Sequence, residues 1–323
     1  ARKNVTLSAD GLNNQQGTVT AVDETLTVHG GQNLDNSDGT LQSSGDLSLD
    51  TLSLTNARGT IQSTQGDGLL TIAGSVDNQL GSIVASGALT LNSGDIDNRK
   101  GVLLADSLDL SSQRLTNQAG LIQGSDGLRI DTHGQQLDNS DTNGEKTGLR
   151  SGGALNLIAG DVINQAGLIA GKLLDLNLRS LNNRAGAIGS AEGSKIASGA
   201  LDNQNGAIQS GGDLSLDTHG ADLHNQQGTL LADGSLAINS RSLSHQQRLI
   251  QGGDEFFRKI VAVGRDFLDP GWNGLPAIEH PLDHDIPVWS EPPAMQPLPD
   301  PSGLLQPPVA APAGTTVTGV AVA

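Results

Sequence analysis

The stretch that decides the fold is Leu201-Asp202-Asn203-Gln204-Asn205-Gly206-Ala207-Ile208-Gln209-Ser210-Gly211-Gly212-Asp213-Leu214-Ser215-Leu216. Its apolar and polar residues alternate in short runs, which is the period of a β-strand and not of a helix. Gly, Asn, Asp and Ser separate the runs, and these residues favour turns. Each run is too short to form a sheet alone. We therefore expect the stretch to pair with further copies of itself.

Such copies occupy most of the chain, at a period of about 21 residues in twelve repeats. Asn marks eleven of them, and His245 takes its place in the last. The asparagines are Asn14, Asn36, Asn56, Asn78, Asn98, Asn117, Asn139, Asn164, Asn183, Asn203 and Asn225. A period of roughly 20 to 50 residues indicates a solenoid. The predicted fold is all-β, a parallel β-helix of about twelve coils and roughly 55 Å long.

The Asn and the Gly three residues later have separate predicted roles in each coil. A buried Asn at the same turn of every coil is predicted to hydrogen-bond to its neighbours along the axis, forming a ladder. The Gly is predicted to adopt a positive φ, which a Cβ would penalise. These glycines are Gly17, Gly39, Gly59, Gly81, Gly101, Gly120, Gly167, Gly186, Gly206 and Gly228. Residues 142–148 lengthen the seventh repeat, and we expect them to bulge outward at one corner.

Proline and the aromatic residues divide the chain into three parts. All twelve prolines lie at Pro270 or later, and proline is excluded from stacked central strands because it has no N–H to donate. The five aromatic residues also follow the last repeat; they are Phe256, Phe257, Phe267, Trp272 and Trp289. We therefore predict a β-helix over residues 1–254, a short amphipathic capping helix over 255–269, and a Pro-rich extended or disordered tail over 270–323. A membrane-surface helix is the less favoured alternative for 255–269, because that segment has few basic residues.

Charge and hydropathy restrict the partners. The formal net charge is −17, and without a basic stripe the chain is not expected to bind nucleic acid. No apolar stretch reaches the length of about 18 residues that a membrane span needs. The absence of cysteine removes disulfides. The chain opens on a partial repeat, so we expect a fragment of a longer protein that is monomeric.

Candidates for chemistry are few. Five residues are metal ligands by type: Glu279, His280, Asp283, His284 and Asp285. Pro281 argues against the helix that would align the two histidines, and a polar linker is the preferred interpretation. Gly-Gly-Asp at 211–213 and 252–254 is only part of the calcium-binding nonapeptide. We therefore predict no metal, no cofactor and no catalytic residue.

Parallel β-helices also include polysaccharide lyases and hydrolases, so a carbohydrate-active enzyme is a distant alternative. Such enzymes need carboxylates that stand out from the repeat. Five aspartates of this chain instead recur with the repeat, directly before the Asn: Asp35, Asp77, Asp97, Asp138 and Asp202. Recurrence favours a structural role in a turn over a unique active site.

The string Leu-Asp-Asn-x-x-Gly-x-Ile, followed by Gly-x-Leu-x-Leu, resembles the filamentous haemagglutinin repeat of Gram-negative bacterial exoproteins. It occurs at residues 34–49, 76–91 and 201–216, and the resemblance covers about residues 1–254. It implies a right-handed β-helical filament. It also implies export by two-partner secretion through a dedicated outer-membrane pore, and a secreted location on the bacterial cell surface.

The resemblance implies two functions. The preferred one is the structural shaft of an adhesin that binds an unidentified receptor on a host or bacterial cell surface. The alternative is the stick segment of a contact-dependent growth inhibition protein, which carries a toxin at its tip. The sequence contains no Asn-Pro, a motif of the family's amino-terminal secretion domain, and no recognisable toxin domain. We therefore expect this chain to represent the shaft alone.

Overall fold

The computed structural model describes residues 3–245 and 316–319. These residues are all-β and contain no helix, and their strands stack in parallel as a solenoid of about twelve coils, which confirms the predicted fold class. The capping helix predicted at 255–269, the five metal-ligand candidates and the tail outside 316–319 lie beyond the described residues.

The described residues form 28 strands. They are β1 (Val5–Ser8), β2 (Gly11–Asn13), β3 (Thr18–Ala21), β4 (Leu26–Asp35), β5 (Thr40–Ser43), β6 (Leu47–Thr55), β7 (Thr60–Ser63), β8 (Gly68–Ile72), β9 (Val76–Asp77), β10 (Ser82–Ala85), β11 (Ala88–Ser93), β12 (Ile96–Asp97), β13 (Val102–Ser111), β14 (Leu115–Thr116), β15 (Leu121–Asp131), β16 (Leu137–Asp138), β17 (Gly148–Ser151), β18 (Ala154–Ile163), β19 (Leu168–Asn182), β20 (Ala187–Ala197), β21 (Leu201–Asp202), β22 (Ala207–Ser210), β23 (Asp213–Asp217), β24 (Asp222–His224), β25 (Thr229–Ala232), β26 (Leu236–Asn239), β27 (Ser242–Ser244) and β28 (Thr316–Gly319).

Each coil contributes strand segments to three stacked faces. Face A consists of the strands that end directly before the Asn, such as β9, β12 and β14. Face B consists of the strands that follow the Asn turn, such as β5, β7 and β10. Face C consists of the next strands along the chain, such as β8 and β11. Some strands run around a corner, and β19 contributes to all three faces.

The core is a narrow column of aliphatic side chains between the three faces. Alternate residues of a strand point inward, so one or two positions per segment face the axis. The inward row of face A contains Leu34, Leu54, Val76, Ile96, Leu115, Leu137, Val162, Leu181, Leu201 and Leu223, all at most 1% exposed. The inward row of face B contains Leu41, Ile61, Ile83, Leu103, Ile122, Leu149, Ile169, Ile188 and Ile208, also at most 1% exposed. Each coil therefore buries its apolar residues against its own other faces and against its two neighbours.

One strand departs from the parallel stack. β28 pairs with β26 in antiparallel orientation, with Thr316 opposite Asn239 and Gly319 opposite Leu236. All other strand pairs among the described residues are parallel. β28 therefore occupies the outer edge of β26, an edge that would otherwise remain open for pairing.

Candidate functional site: the asparagine row and the outer faces

The eleven repeat asparagines lie in one row at the corner between faces A and B. Ten of them are at most 1% exposed, and Asn14 in the first coil is 8% exposed. Each side chain lies directly above the next one along the axis, because the strands of face A before the Asn keep their register from coil to coil. A buried amide needs partners for two N–H groups and one carbonyl oxygen. The row supplies a partner for the carbonyl oxygen and for one N–H from within itself, and backbone carbonyls near the turn, such as those of Gly101 and Leu121 for Asn98, accept the other N–H.

The hydrogen bonds of the row all run in one direction. Each Asn Nδ2 donates to the Oδ1 of the Asn in the following coil, at 2.6 to 2.8 Å. In the last coil Asn225 Nδ2 lies 3.0 Å from Nδ1 of His245. Since Nδ2 can only donate, that ring nitrogen accepts and Nε2 carries the proton. We propose that this row is the ladder that holds successive coils in register.

The turn after each Asn corrects one prediction. The Gly N–H donates to the Asn carbonyl at 2.9 to 3.2 Å in ten of the coils, which closes a β-turn. The residue before the Gly, and not the Gly, has the positive φ, between 48° and 58°. Ten of these residues precede a Gly, and Asp141 of the seventh repeat, which precedes Thr142, has the same conformation; the ten are Gln16, Asp38, Arg58, Leu80, Lys100, Ala119, Ala166, Ala185, Asn205 and Gln227. The prediction that the Gly adopts a positive φ was therefore wrong.

The Gly is required for a different reason, which is the close approach of two coils. A Cβ on Gly59 would lie 2.2 Å from the carbonyl oxygen of Asn36 in the preceding coil and 2.5 Å from Oδ1 of Asn56. At eight further turn glycines an added Cβ would likewise lie 2.1 to 2.3 Å from the carbonyl oxygen of the Asn in the preceding coil. The ladder thus depends on an Asn that bonds along the axis and on a Gly that lets the coils approach.

The seventh repeat departs from this pattern, as the insertion predicts. Thr142 stands at the glycine position, and its hydroxyl donates to the carbonyl of Asn139 at 2.8 Å and accepts from the N–H of Leu168 at 3.1 Å. In other coils a backbone carbonyl of the turn Gly accepts the equivalent N–H. Residues 143–146 are exposed and form no strand. The Thr142 hydroxyl therefore maintains the hydrogen bonds between adjacent coils at the point where the chain bulges outward.

A buried arginine holds this loop, and no pattern in the sequence indicated it. Arg150 lies on face B and is only 2% exposed. Its Nε donates to the carbonyl of Thr147 at 2.6 Å, and its Nη2 donates to the carbonyl of Gly144 at 2.7 Å. A guanidinium that donates to two carbonyls of one loop fixes the path of that loop over face B.

The recurring aspartates before the Asn have the turn role that the repeat predicts. In all five cases the carboxylate accepts the backbone N–H two residues later, at 2.9 to 3.1 Å. This is an Asx turn, which fixes the chain at the entry to the corner. Burial raises the pKa of Asp35, but hydrogen bonds from Ser37 and Gln15 outweigh it and hold that pKa below its ordinary value.

Arginine side chains connect carboxylates of adjacent coils on the outer surface. Arg58 donates from Nε and Nη2 to both oxygens of Asp38, at 2.7 Å each. Hydrogen bonds from Arg241 and Ser242 lower the pKa of Asp222 from 3.8 to about 2. Exposed pairs of this kind contribute little to stability, because water screens the two charges. They partly neutralise an acidic surface without forming a basic patch.

One constellation that the sequence did not indicate combines Ser111, His133 and Asp131. Ser111 Oγ lies 2.9 Å from Nε2 of His133. In a Ser-His-Asp triad the second ring nitrogen of the His is hydrogen-bonded to the carboxylate. Here Nδ1 of His133 is 3.6 Å from Oδ1 of Asp131, which is too far for that hydrogen bond. That same oxygen accepts the backbone N–H of His133 at 2.8 Å. The carboxylate therefore serves the turn, and the imidazole is not oriented as a base.

Other concave or charged features of the described residues are slight. A shallow depression of about 270 Å³ on face A is lined by Asp77, Asp95, Asp97 and Arg114. Oδ1 of Asp95 accepts the N–H of Arg114 at 3.1 Å. Residues 3–245 and 316–319 contain no group of three or more His, Cys, Asp or Glu placed to hold a metal ion. In the same part of the chain no helix is long and apolar enough to cross a membrane.

The repeats, the parallel coils and the asparagine row agree with a comparison against known families. The profile of the Haemagglutinin repeat family matches residues 4–79, 63–113, 84–142, 131–177, 150–222 and 216–255. The chain belongs to the haemagglutinin-repeat family. No curated protein and no solved structure gives a significant match. The resemblance inferred from the repeat is thereby confirmed, and haemagglutinin repeats form a structural family whose members are typically secreted or surface-exposed.

Proposed function

We propose that this chain is the shaft of a secreted exoprotein that mediates adhesion at the bacterial cell surface. The observation that supports this function is the uniformity of the outer faces along about twelve coils. The recurring aspartates are used in turns, and the arginines pair with aspartates of adjacent coils. Such a surface repeats the same polar rows along a rod and concentrates no chemistry at one point.

Adhesion by this shaft is proposed to be distributed. Binding hot spots are enriched in Trp, Tyr and Arg, and the chain has no aromatic residue before Phe256. Contacts of the polar rows are therefore expected to be weak per coil and to add along the rod. Several coils that bind together gain effective concentration, so a rod can adhere firmly through weak contacts.

Export is proposed to follow the two-partner route through an outer-membrane pore. Each coil contacts only its neighbours, so the chain can fold coil by coil as it emerges. Without cysteine, no disulfide can form in the unfolded chain before export. The test is to add protease to intact cells that produce the exoprotein with and without its pore. Cleavage of the shaft only when the pore is present supports the proposal, and equal protection in both strains refutes it.

The adhesive role is tested by removing whole coils. Joining Asp97 directly to Asn139 deletes residues 98–138 and keeps the repeat in phase, so the remaining Asn row stays continuous. Cell binding should decrease in steps as successive pairs of coils are removed. The matched control removes the loop residues 143–147 and replaces Arg150, whose partners Gly144 and Thr147 lie in that loop, by Gln, which leaves every strand in place.

The two kinds of deletion separate the possible outcomes. Graded loss with shorter rods, together with near-normal binding after loop removal, supports a distributed adhesive shaft. Complete loss after loop removal alone refutes it, because binding would then reside in a discrete receptor site. Growth inhibition of neighbouring cells that survives the loss of adhesion would support the toxin-carrier alternative instead.

A further inference from the structure

Two Asn-Gly dipeptides lie among the described residues, and the structure treats them differently. Asn143 and Gly144 are in the exposed loop of the seventh repeat, and Asn205 and Gly206 are in a ladder turn. Both asparagine side chains are exposed. In each case the following Gly has no Cβ to hinder its backbone nitrogen. Sequence and exposure alone therefore predict equal reactivity of the two side-chain amides.

The turn at Asn205 prevents reaction of its amide. The N–H of Gly206 donates to the carbonyl of Asn203 at 3.1 Å, and the N–H of Asn205 donates to the carbonyl of Gln226 at 3.0 Å. The carbonyl of Gly206 accepts the N–H of Thr229 at 2.8 Å. Both peptide groups beside Asn205 are thus fixed between coils. Rotation of the Gly206 nitrogen toward the Asn205 side chain requires the turn to open.

The loop at Asn143 has no such lock. Asn143 belongs to no strand or turn, and Gly144 is a bend. Within the described residues the backbone N–H of Gly144 donates to no hydrogen-bond acceptor. The carbonyl of Gly144 is held by Nη2 of Arg150 at 2.7 Å and by the hydroxyl of Thr147 at 3.3 Å. The loop therefore keeps a defined path on one side of Gly144, while the peptide nitrogen between Asn143 and Gly144 can rotate.

We propose that Asn143 is a site of spontaneous covalent modification, at which its amide is lost by attack of the Gly144 backbone nitrogen. The nitrogen gives up its proton and bonds to Cγ of Asn143. The bond from Cγ to Nδ2 breaks, and Nδ2 leaves as ammonia with that proton. Water then opens the five-membered ring at either carbonyl, which yields aspartate or isoaspartate. No oxidant, reductant or cofactor takes part.

The modification changes the loop that Arg150 holds. Either product places a new carboxylate between Asp141 and Glu145, in a loop with few basic groups. Isoaspartate also inserts a methylene into the main chain before Gly144. This displaces the Gly144 carbonyl from the guanidinium. The surface loop of the shaft thus changes in charge and shape with time, while the ladder turns stay intact.

The test is to incubate the folded full chain in mildly alkaline buffer and to map its peptides by mass spectrometry. The Asn143 peptide should gain the mass of an amide replaced by an acid at least about tenfold faster than the Asn205 peptide, because Asn205 reacts only after local opening. In urea the two peptides should react at similar rates. Hydrogen exchange of residues 142–148 should rise with the modified fraction.

The Asn143→Gln variant is the matched control, since its longer side chain would form a less favoured six-membered ring. It should show no modification at this position and no time-dependent rise in loop exchange. Equal rates at Asn143 and Asn205 in the folded chain overturn the proposal. A rate difference that persists unchanged in urea also overturns it, because sequence and not the fold would then set the rates.

Discussion

Replacement of Asn117 by Leu tests the ladder most directly. Leu has the same branched skeleton of side-chain heavy atoms as Asn, with methyl groups in place of the amide oxygen and nitrogen. Nδ2 of Asn117 donates to Oδ1 of Asn139 at 2.8 Å, and its Oδ1 accepts from Nδ2 of Asn98 at 2.7 Å. The replacement leaves Oδ1 of Asn139 buried without a donor, at a cost of about 1–3 kcal/mol. Nδ2 of Asn98 is not orphaned, because it still donates to the carbonyls of Gly101 and Leu121, at 3.3 and 3.2 Å.

The total loss of unfolding free energy is therefore expected to be about 2–5 kcal/mol, from one orphaned acceptor and two further lost hydrogen bonds, those with Asn98 and Gly120. Chemical denaturation measures it. Gln118 is a poor control, because it is only half exposed and its Nε2 donates to Ser140 at 3.1 Å. Asn156 is exposed on face C, so Asn156→Leu should cost less than about 0.5 kcal/mol.

A second variant separates the ladder from simple packing. Asn117→Asp keeps the shape and the acceptor for Asn98 but turns the donor toward Asn139 into a second acceptor. It should be more destabilising than Asn117→Leu at neutral pH, and acid should relieve the effect because a protonated carboxyl can donate. Hydrogen exchange should rise first in residues 98–139, since neighbours carry the stability of a solenoid. Equal losses for Asn117→Leu and Asn156→Leu would refute the ladder.

Three further predictions follow from the same structure. Gly101→Ala should cost about 2–4 kcal/mol of unfolding free energy, because the added Cβ would lie 2.2 Å from a ladder carbonyl of the preceding coil. At Gly193 the nearest atom to an added Cβ is 3.6 Å away, so Gly193→Ala should be tolerated. Thermal unfolding of the two variants compares these effects. His245→Leu should raise hydrogen exchange in the last coil, because it removes the ring nitrogen that lies 3.0 Å from Nδ2 of Asn225, and His245→Asn should keep exchange low because its Oδ1 can accept the same hydrogen bond. Because the pKa of Asp222 is depressed, its pairing with Arg241 stabilises the fold above pH 3.8, and this stabilisation is lost as the pH falls toward about 2. The pH at the midpoint of acid unfolding should therefore be higher for Arg241→Ala than for the native chain.

Much of the fold was predictable because it depends on local pattern. Strand period, the turn residues and the recurrence of Asn14 to Asn225 predicted parallel coils, and the recurring aspartates predicted a turn role that the Asx hydrogen bonds display. A pattern that repeats at a fixed interval needs only one packing solution, which each coil then copies. The same logic predicted the bulge in the seventh repeat over 142–148, although its end residues Thr142 and Gly148 remain within the stack.

The sequence by itself determined the period, the inward aliphatic rows and the position of the Asn turn. Only the tertiary structure decided why Gly59 and its equivalents must be Gly. A Cβ at Gly59 would lie 2.2 Å from a carbonyl oxygen of another coil, and this close approach exists only once the coils are stacked. The same holds for Arg150, whose partners are carbonyls of a bulged loop, and for the difference between Asn143 and Asn205. Alternation and turn propensity act within a few residues, whereas close approach, buried polar partners and locked peptide groups arise between segments that the fold brings together.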